Sequence, residues 1–104
     1  MTSVQREDDD VPYADIAKRL EAVQKAYGIS QTEFMQRIGM KGHTFSGWLS
    51  GERKLKLSTM LRIRATYHVT LDYIYAGDHS GLPLRLANAI RTGKPLPKDK
   101  LYNS

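Results

Sequence analysis

Three histidines, His43, His68 and His79, are the only imidazoles in the 104-residue chain. Imidazole is the side chain best suited to proton transfer and metal ligation near neutral pH. These three lie 25 and 11 residues apart, with no cysteine anywhere and no clustered carboxylate beside them. Neither a thiolate zinc site nor a disulfide framework can be built from such a set, and no metal is expected. Gly77-Asp78-His79-Ser80-Gly81 gathers residue types found in catalytic sites, yet it reads as a turn. There is no phosphate loop, no nucleophile elbow and no paired-acid spacing. The expectation is a protein that is not an enzyme and carries no cofactor.

A different chemistry is written in charge and hydrogen bonding. Residues 1–10 set Arg6 against Glu7, Asp8, Asp9 and Asp10, a balance of −3, which leaves +8 on the rest of a chain whose net charge is +5. Residues 37–64 hold Arg37, Lys41, Arg53, Lys54, Lys56, Arg62 and Arg64 against Glu52 alone. That local excess points to a polyanionic partner; the plainer alternative is a solvated basic surface. The acidic run at the start could imitate a nucleic acid and cover the basic face, or be a solvated tail. Within the basic region lies MKGHTFSGWLSGER, residues 40–53. It sets Phe45, Trp48 and Leu49 at helical spacing but carries glycines at 42, 47 and 51. With Phe45 at 0° on a wheel of 100° per residue, Trp48 and Leu49 fall within about 60° of it. His43, Ser46, Gly47 and Ser50 fall between about 100° and 200° and are expected to face outward. Small and hydrogen-bonding side chains on that face suit approach to base edges in a groove about 12 Å wide. Gly42 at the helix start would let an anion near the free N–H groups, Gly51 would supply a left-handed turn, and Gly47 would leave room for a base or sugar, or is simply tolerated.

These residues need a scaffold. Ile16, Leu20, Val23 and Tyr27 repeat at helical spacing and predict a first helix ended by Gly28. Ser30 with Glu33 reads as a capping box opening a short second helix that buries Phe34, Met35 and Ile38 and stops at Gly39. The stretch from 42 is the third. Leu57, Met60, Leu61, Ile63 and Tyr67 mark a fourth, and Thr70 caps a fifth with Leu71, Ile74 and Tyr75. Leu82, Leu86, Ala89 and Ile90 mark a sixth. No strand-like alternation or internal repeat interrupts them, so the fold class is all-α. The expected division is an acidic disordered segment at 1–11, a domain at 12–78, a C-terminal helix at 79–91 and a flexible tail at 92–104. No apolar run approaches the roughly 20 residues of a membrane span, so no membrane association and a cytoplasmic location are expected.

Two short helices joined at Gly39 within a five-helix core form a helix-turn-helix pattern. From about Ile16 to Gly77 the chain resembles the lambda-repressor-like, Cro/C1-type (XRE) DNA-binding domains. The carriers are Ile29-Ser30-Gln31-Thr32-Glu33-Phe34, Ile38-Gly39, Phe45, Trp48, Gly51-Glu52-Arg53 and Val69-Thr70-Leu71-Asp72-Tyr73-Ile74. The resemblance implies a sequence-specific transcriptional regulator, a repressor of prokaryotic or phage type, binding double-stranded DNA as a homodimer on inverted half-sites. It places Lys41, Gly42, His43, Thr44, Ser46 and Gly47 nearest the bases, and Gln31, Arg53 and Lys54 on phosphates. Trp48 is expected in the core. The stripe Leu82, Leu86 and Ile90 is the expected dimer surface, or else a cover for the domain's own core. Other readings are an antitoxin that also binds a toxin protein, control by an antirepressor, or a protein-interaction adaptor. The chain departs from the family pattern where alanine is usual and Met35 stands, where Ser or Thr usually caps the third helix and Lys41-Gly42 stands, and where Arg64 and His68 replace a small residue and a glycine.

Overall fold

Ile16, Ala17, Leu20, Val23 and Ala26 line one side of the longest helix, α1 (Tyr13–Ala26), and all are buried. The structure, a computed structural model, describes residues 13–97, and these form six helices with no strand among the described residues. The other five are α2 (Gln31–Arg37), α3 (Thr44–Ser50), α4 (Leu57–Tyr67), α5 (Leu71–Ala76) and α6 (Leu84–Thr92). The second, third and fifth are too short to be stable alone; they are held by packing around α1, which contacts α2, α3, α5 and α6.

Local chemistry sets where each helix begins and ends. The Ser30 hydroxyl accepts from the Glu33 N–H (3.0 Å) at the start of α2. Only this half of the capping box forms, because the Glu33 carboxylate turns to Arg37 instead (2.7 Å). Thr70 caps α5 by accepting from the Tyr73 N–H (2.9 Å). By contrast α3 has no side-chain cap; the Thr44 N–H donates to the Lys41 carbonyl (3.1 Å) and the helix opens on a tight turn. Gly39 at φ 77° and Gly51 at φ 83° reverse the chain after α2 and α3 in the left-handed region that side chains disfavour.

An aromatic chain runs through the centre. Phe34 of α2 stacks on Tyr67 of α4 at 4.3 Å and meets Phe45 of α3 at 5.5 Å, and Phe45 meets Trp48 at 5.8 Å. Met35 is fully buried, so the bulk that stands where alanine is usual is accommodated within the core. The C-terminal end of α2 is held from α4: the Tyr67 hydroxyl donates to the Phe34 carbonyl (2.8 Å), and Arg62 donates to the Ile38 carbonyl (3.3 Å). These carbonyls are among those a helix end leaves without intrahelical partners.

Two expected boundaries move. The C-terminal helix expected at 79–91 runs from Leu84 to Thr92; Leu82 and Leu86 are buried in the same core and α6 packs along α1. The expected flexible tail does not begin at 92, because α6 runs to Thr92, and beyond it Leu96 packs against the core while its N–H donates to the Ala26 carbonyl (2.7 Å). The acidic run at 1–11 and the rest of the tail lie outside the described residues. Among those described, no helix is long and apolar enough to cross a membrane.

Candidate functional site

The surface around α3 follows from one side of that helix being fixed. Phe45 and Trp48 are buried against α1 and α2, with Leu49 half-buried beside them. His43 and Ser46 therefore stand exposed on the opposite side, with exposed Lys41 just ahead of the helix. The Ser46 hydroxyl donates to the His43 carbonyl (2.8 Å), which ties the outer face to its own first turn. α3 itself carries no acidic side chain. Glu52, just beyond, is held at the helix end through its N–H, which donates to the Ser50 hydroxyl oxygen (3.4 Å).

Three of the residues expected to read bases are placed differently. Thr44 is only 7% exposed, so its side chain is not on the outer face. Gly42 is half-buried; a Cβ there would meet Thr32 side-chain atoms at 3.0 Å. Its smallness serves the close approach of the α2 and α3 starts. Gly47 does lie on the outward side, but it is buried, because the side chain of Arg53 lies across it. A Cβ at 47 would sit 2.7 Å from both Cγ and Cδ of Arg53 and 3.2 Å from its Nε. The backbone fixes this arrangement: after Gly51 turns the chain, the Arg53 N–H donates to the Gly47 carbonyl (3.0 Å), which also accepts from the Ser50 hydroxyl (3.1 Å).

Among the residues expected on phosphates, Lys54 is exposed in the loop after α3. Gln31 is half-buried, and its Nε2 donates to the Glu21 carboxylate of α1 (3.3 Å), so a negative charge stands beside it. Two arginines have structural roles that their sequence positions do not announce. Arg62 caps α2, as described, and Arg19 donates to the Ile74 carbonyl at the end of α5 (3.1 Å). Arg62 belongs to the basic excess of residues 37–64 but faces a helix end with its guanidinium.

The remaining chemistry-bearing residues have local explanations. In the loop after α5, the Asp78 carboxylate accepts from the Ser80 N–H (2.9 Å), which holds its pKa below the usual value, and His79 packs edge-on against Tyr73 at 5.2 Å. No group of three or more metal-ligating side chains occurs among the described residues. An open groove between α4 and α5, lined by Arg64, His68 and Asp72 among others, shares no residue with α3. Of the two readings of the stripe Leu82, Leu86 and Ile90, the structure agrees with the cover rather than the dimer surface: Leu82 and Leu86 are buried inside the chain's own core and Ile90 packs half-buried against it. Among the described residues, the large apolar side chains that are exposed are Leu57, Leu61 and Leu84. No family model, no curated protein and no solved structure matches the chain.

Proposed function

We propose that the chain is a sequence-specific DNA-binding transcriptional regulator of the Cro/C1 type, in which α2 and α3 are the helix-turn-helix and α3 enters the major groove. The observation that carries this reading is the outer face of α3: a short helix anchored on one side by Phe45 and Trp48 presents His43 and Ser46, flanked by Lys41 and Arg53 and free of acids within the helix. A groove-reading helix needs that combination of a rigid inner side and a thin, polar, uncharged-to-basic outer one. Lys54 neutralises a phosphate beside the groove. Gln31 remains a phosphate contact through the amide hydrogen that Glu21 leaves over. A single such helix covers only a few base pairs, so the protein acts as a homodimer on an inverted repeat and represses by occupying it.

The test is selection from a pool of randomised duplexes with the purified full chain, followed by affinity measurements at several salt concentrations. The expected result is an enriched inverted repeat bound with a steep negative dependence of log affinity on log salt, since phosphate neutralisation releases counterions. Failure to enrich any sequence, together with a flat salt dependence, removes the proposal.

Exposed Leu57, Leu61 and Leu84 favour a second reading, a helix-turn-helix protein that binds another polypeptide, as an antitoxin or adaptor does. Binding to a protein without salt-dependent duplex binding would select the adaptor. A toxin that co-purifies with a chain that also binds DNA would select the antitoxin.

A further inference from the structure

We propose that Arg53 is a base-reading residue and that Gly47 exists to seat it; this rests on the DNA-binding reading of α3. A glycine in mid-helix costs roughly 1 kcal/mol relative to alanine, and its missing Cβ here points to the outer face. Arg53 fills that space. Its Cγ and Cδ lie where a side chain at 47 would begin, with Nε close behind. The backbone hydrogen bond from Arg53 to the Gly47 carbonyl (3.0 Å) fixes the root of the side chain to the same residue that seats its stem.

An arginine so held differs from one on a loose turn. Two of its methylenes and Nε have an assigned place over Gly47, on the outward side of α3 that also carries His43 and Ser46. Arg53 is exposed, and among the described residues no carboxylate forms an ion pair with its guanidinium. A phosphate can be satisfied by any cation on a flexible stem. A planar donor fork in a fixed position matches the O6 and N7 acceptors of guanine. The geometry therefore fits a reader of one guanine per half-site. Gly47 is a positioning residue, since any Cβ there would displace the stem.

The experiment uses the full chain and the duplex that it selects. Affinities for that duplex, for its single-base-pair variants and for random duplex are measured for the wild type, Arg53→Lys, Gly47→Ala and the double variant, at several salt concentrations. Arg53→Lys keeps the charge but loses the fork. It should weaken the selected duplex on the order of 10-fold, leave random duplex and the salt slope nearly unchanged, and abolish discrimination at one guanine. Gly47→Ala should do the same, and the double variant should be no weaker than either single one. In the free protein, Gly47→Ala should also shift the NMR signal of the Arg53 Nε–H group, a readout that needs no DNA. Equal weakening of selected and random duplexes by Arg53→Lys, or no weakening at all, overturns the base-reading role. An unmoved Arg53 signal in Gly47→Ala overturns the seat. Both leave the DNA-binding reading standing, whereas a wild type that shows no salt-dependent duplex binding removes that reading first.

Discussion

His43 precedes the first residue of α3, exposed, with its backbone carbonyl engaged by Ser46 and its imidazole making no cap to the helix. That leaves ring nitrogens able to donate or accept toward a base edge. Replacing His43 with alanine should relax preference at one base pair by about 1–3 kcal/mol while leaving random-duplex affinity unchanged; selection with the variant protein checks this, and equal loss on all sequences would deny it a reading role. Lys54 makes the opposite prediction. Lys54→Gln should weaken every duplex alike and reduce the salt slope by about 1, read from titrations at several salt concentrations. At this scale the sequence was half legible. The wheel placed His43 and Ser46 outward and Trp48 inward, because those positions depend only on helical periodicity. It set Gly47 facing out as well, but nothing in a wheel reveals that the chain returns after Gly51 and lays Arg53 over it. The burial of Thr44 is likewise a matter of tertiary packing, which a wheel drawn for one helix does not carry.

The helices were more legible than the contacts between them. Ser30, Thr70, Gly28, Gly39, Gly51 and Gly77 mark their ends because capping and left-handed turns are chemistry of one or two adjacent residues. What sequence could not announce are the long-range closures, such as Arg62 on the end of α2, Arg19 on the end of α5, and Leu96 docked on α1. Two stabilities follow at this scale. His68 ends α4 at φ 59°, and it is the one non-glycine residue at positive φ among those described. That conformation costs an ordinary residue roughly 1–2 kcal/mol. His68→Gly should stabilise the protein by about 1 kcal/mol, raising the thermal midpoint by about 4–8 °C for a domain of this size; a lower midpoint would mean that the imidazole does more at the helix end than the backbone loses. Tyr67→Phe works in the other direction. It removes the hydroxyl from the Phe34 carbonyl at the buried end of α2, which should cost about 1–3 kcal/mol. The urea midpoint should fall with the slope unchanged, and an unshifted midpoint would show that the carbonyl finds another partner.

Across the whole molecule, three phenols join the helices that carry α3. Tyr27, just past α1, donates to the Tyr67 carbonyl (2.7 Å), Tyr67 donates to α2 and Tyr73 of α5 donates to the Arg19 carbonyl of α1 (3.3 Å). Each bond needs the phenolic proton, and burial pushes all three groups above the ordinary tyrosine value of 10.0, Tyr67 the furthest. The sign of the linkage follows. Below pH 10 the phenol is protonated in both the folded and the unfolded chain, so the contribution of these groups is fully present. Above it the unfolded chain loses protons that the fold retains, and stability falls as pH rises through the interval toward the raised folded values. The protein should therefore hold a pH-independent contribution from these residues up to about pH 10 and unfold at alkaline pH before they ionise in place. In an NMR titration, the Tyr67 ring signals should keep their neutral-phenol positions until helical circular dichroism is lost, and both changes should then occur in one step. Ionisation of Tyr67 within an intact helical fold would show that its hydroxyl is reached by water, and would loosen the tie that fixes α2 beneath the outer face of α3.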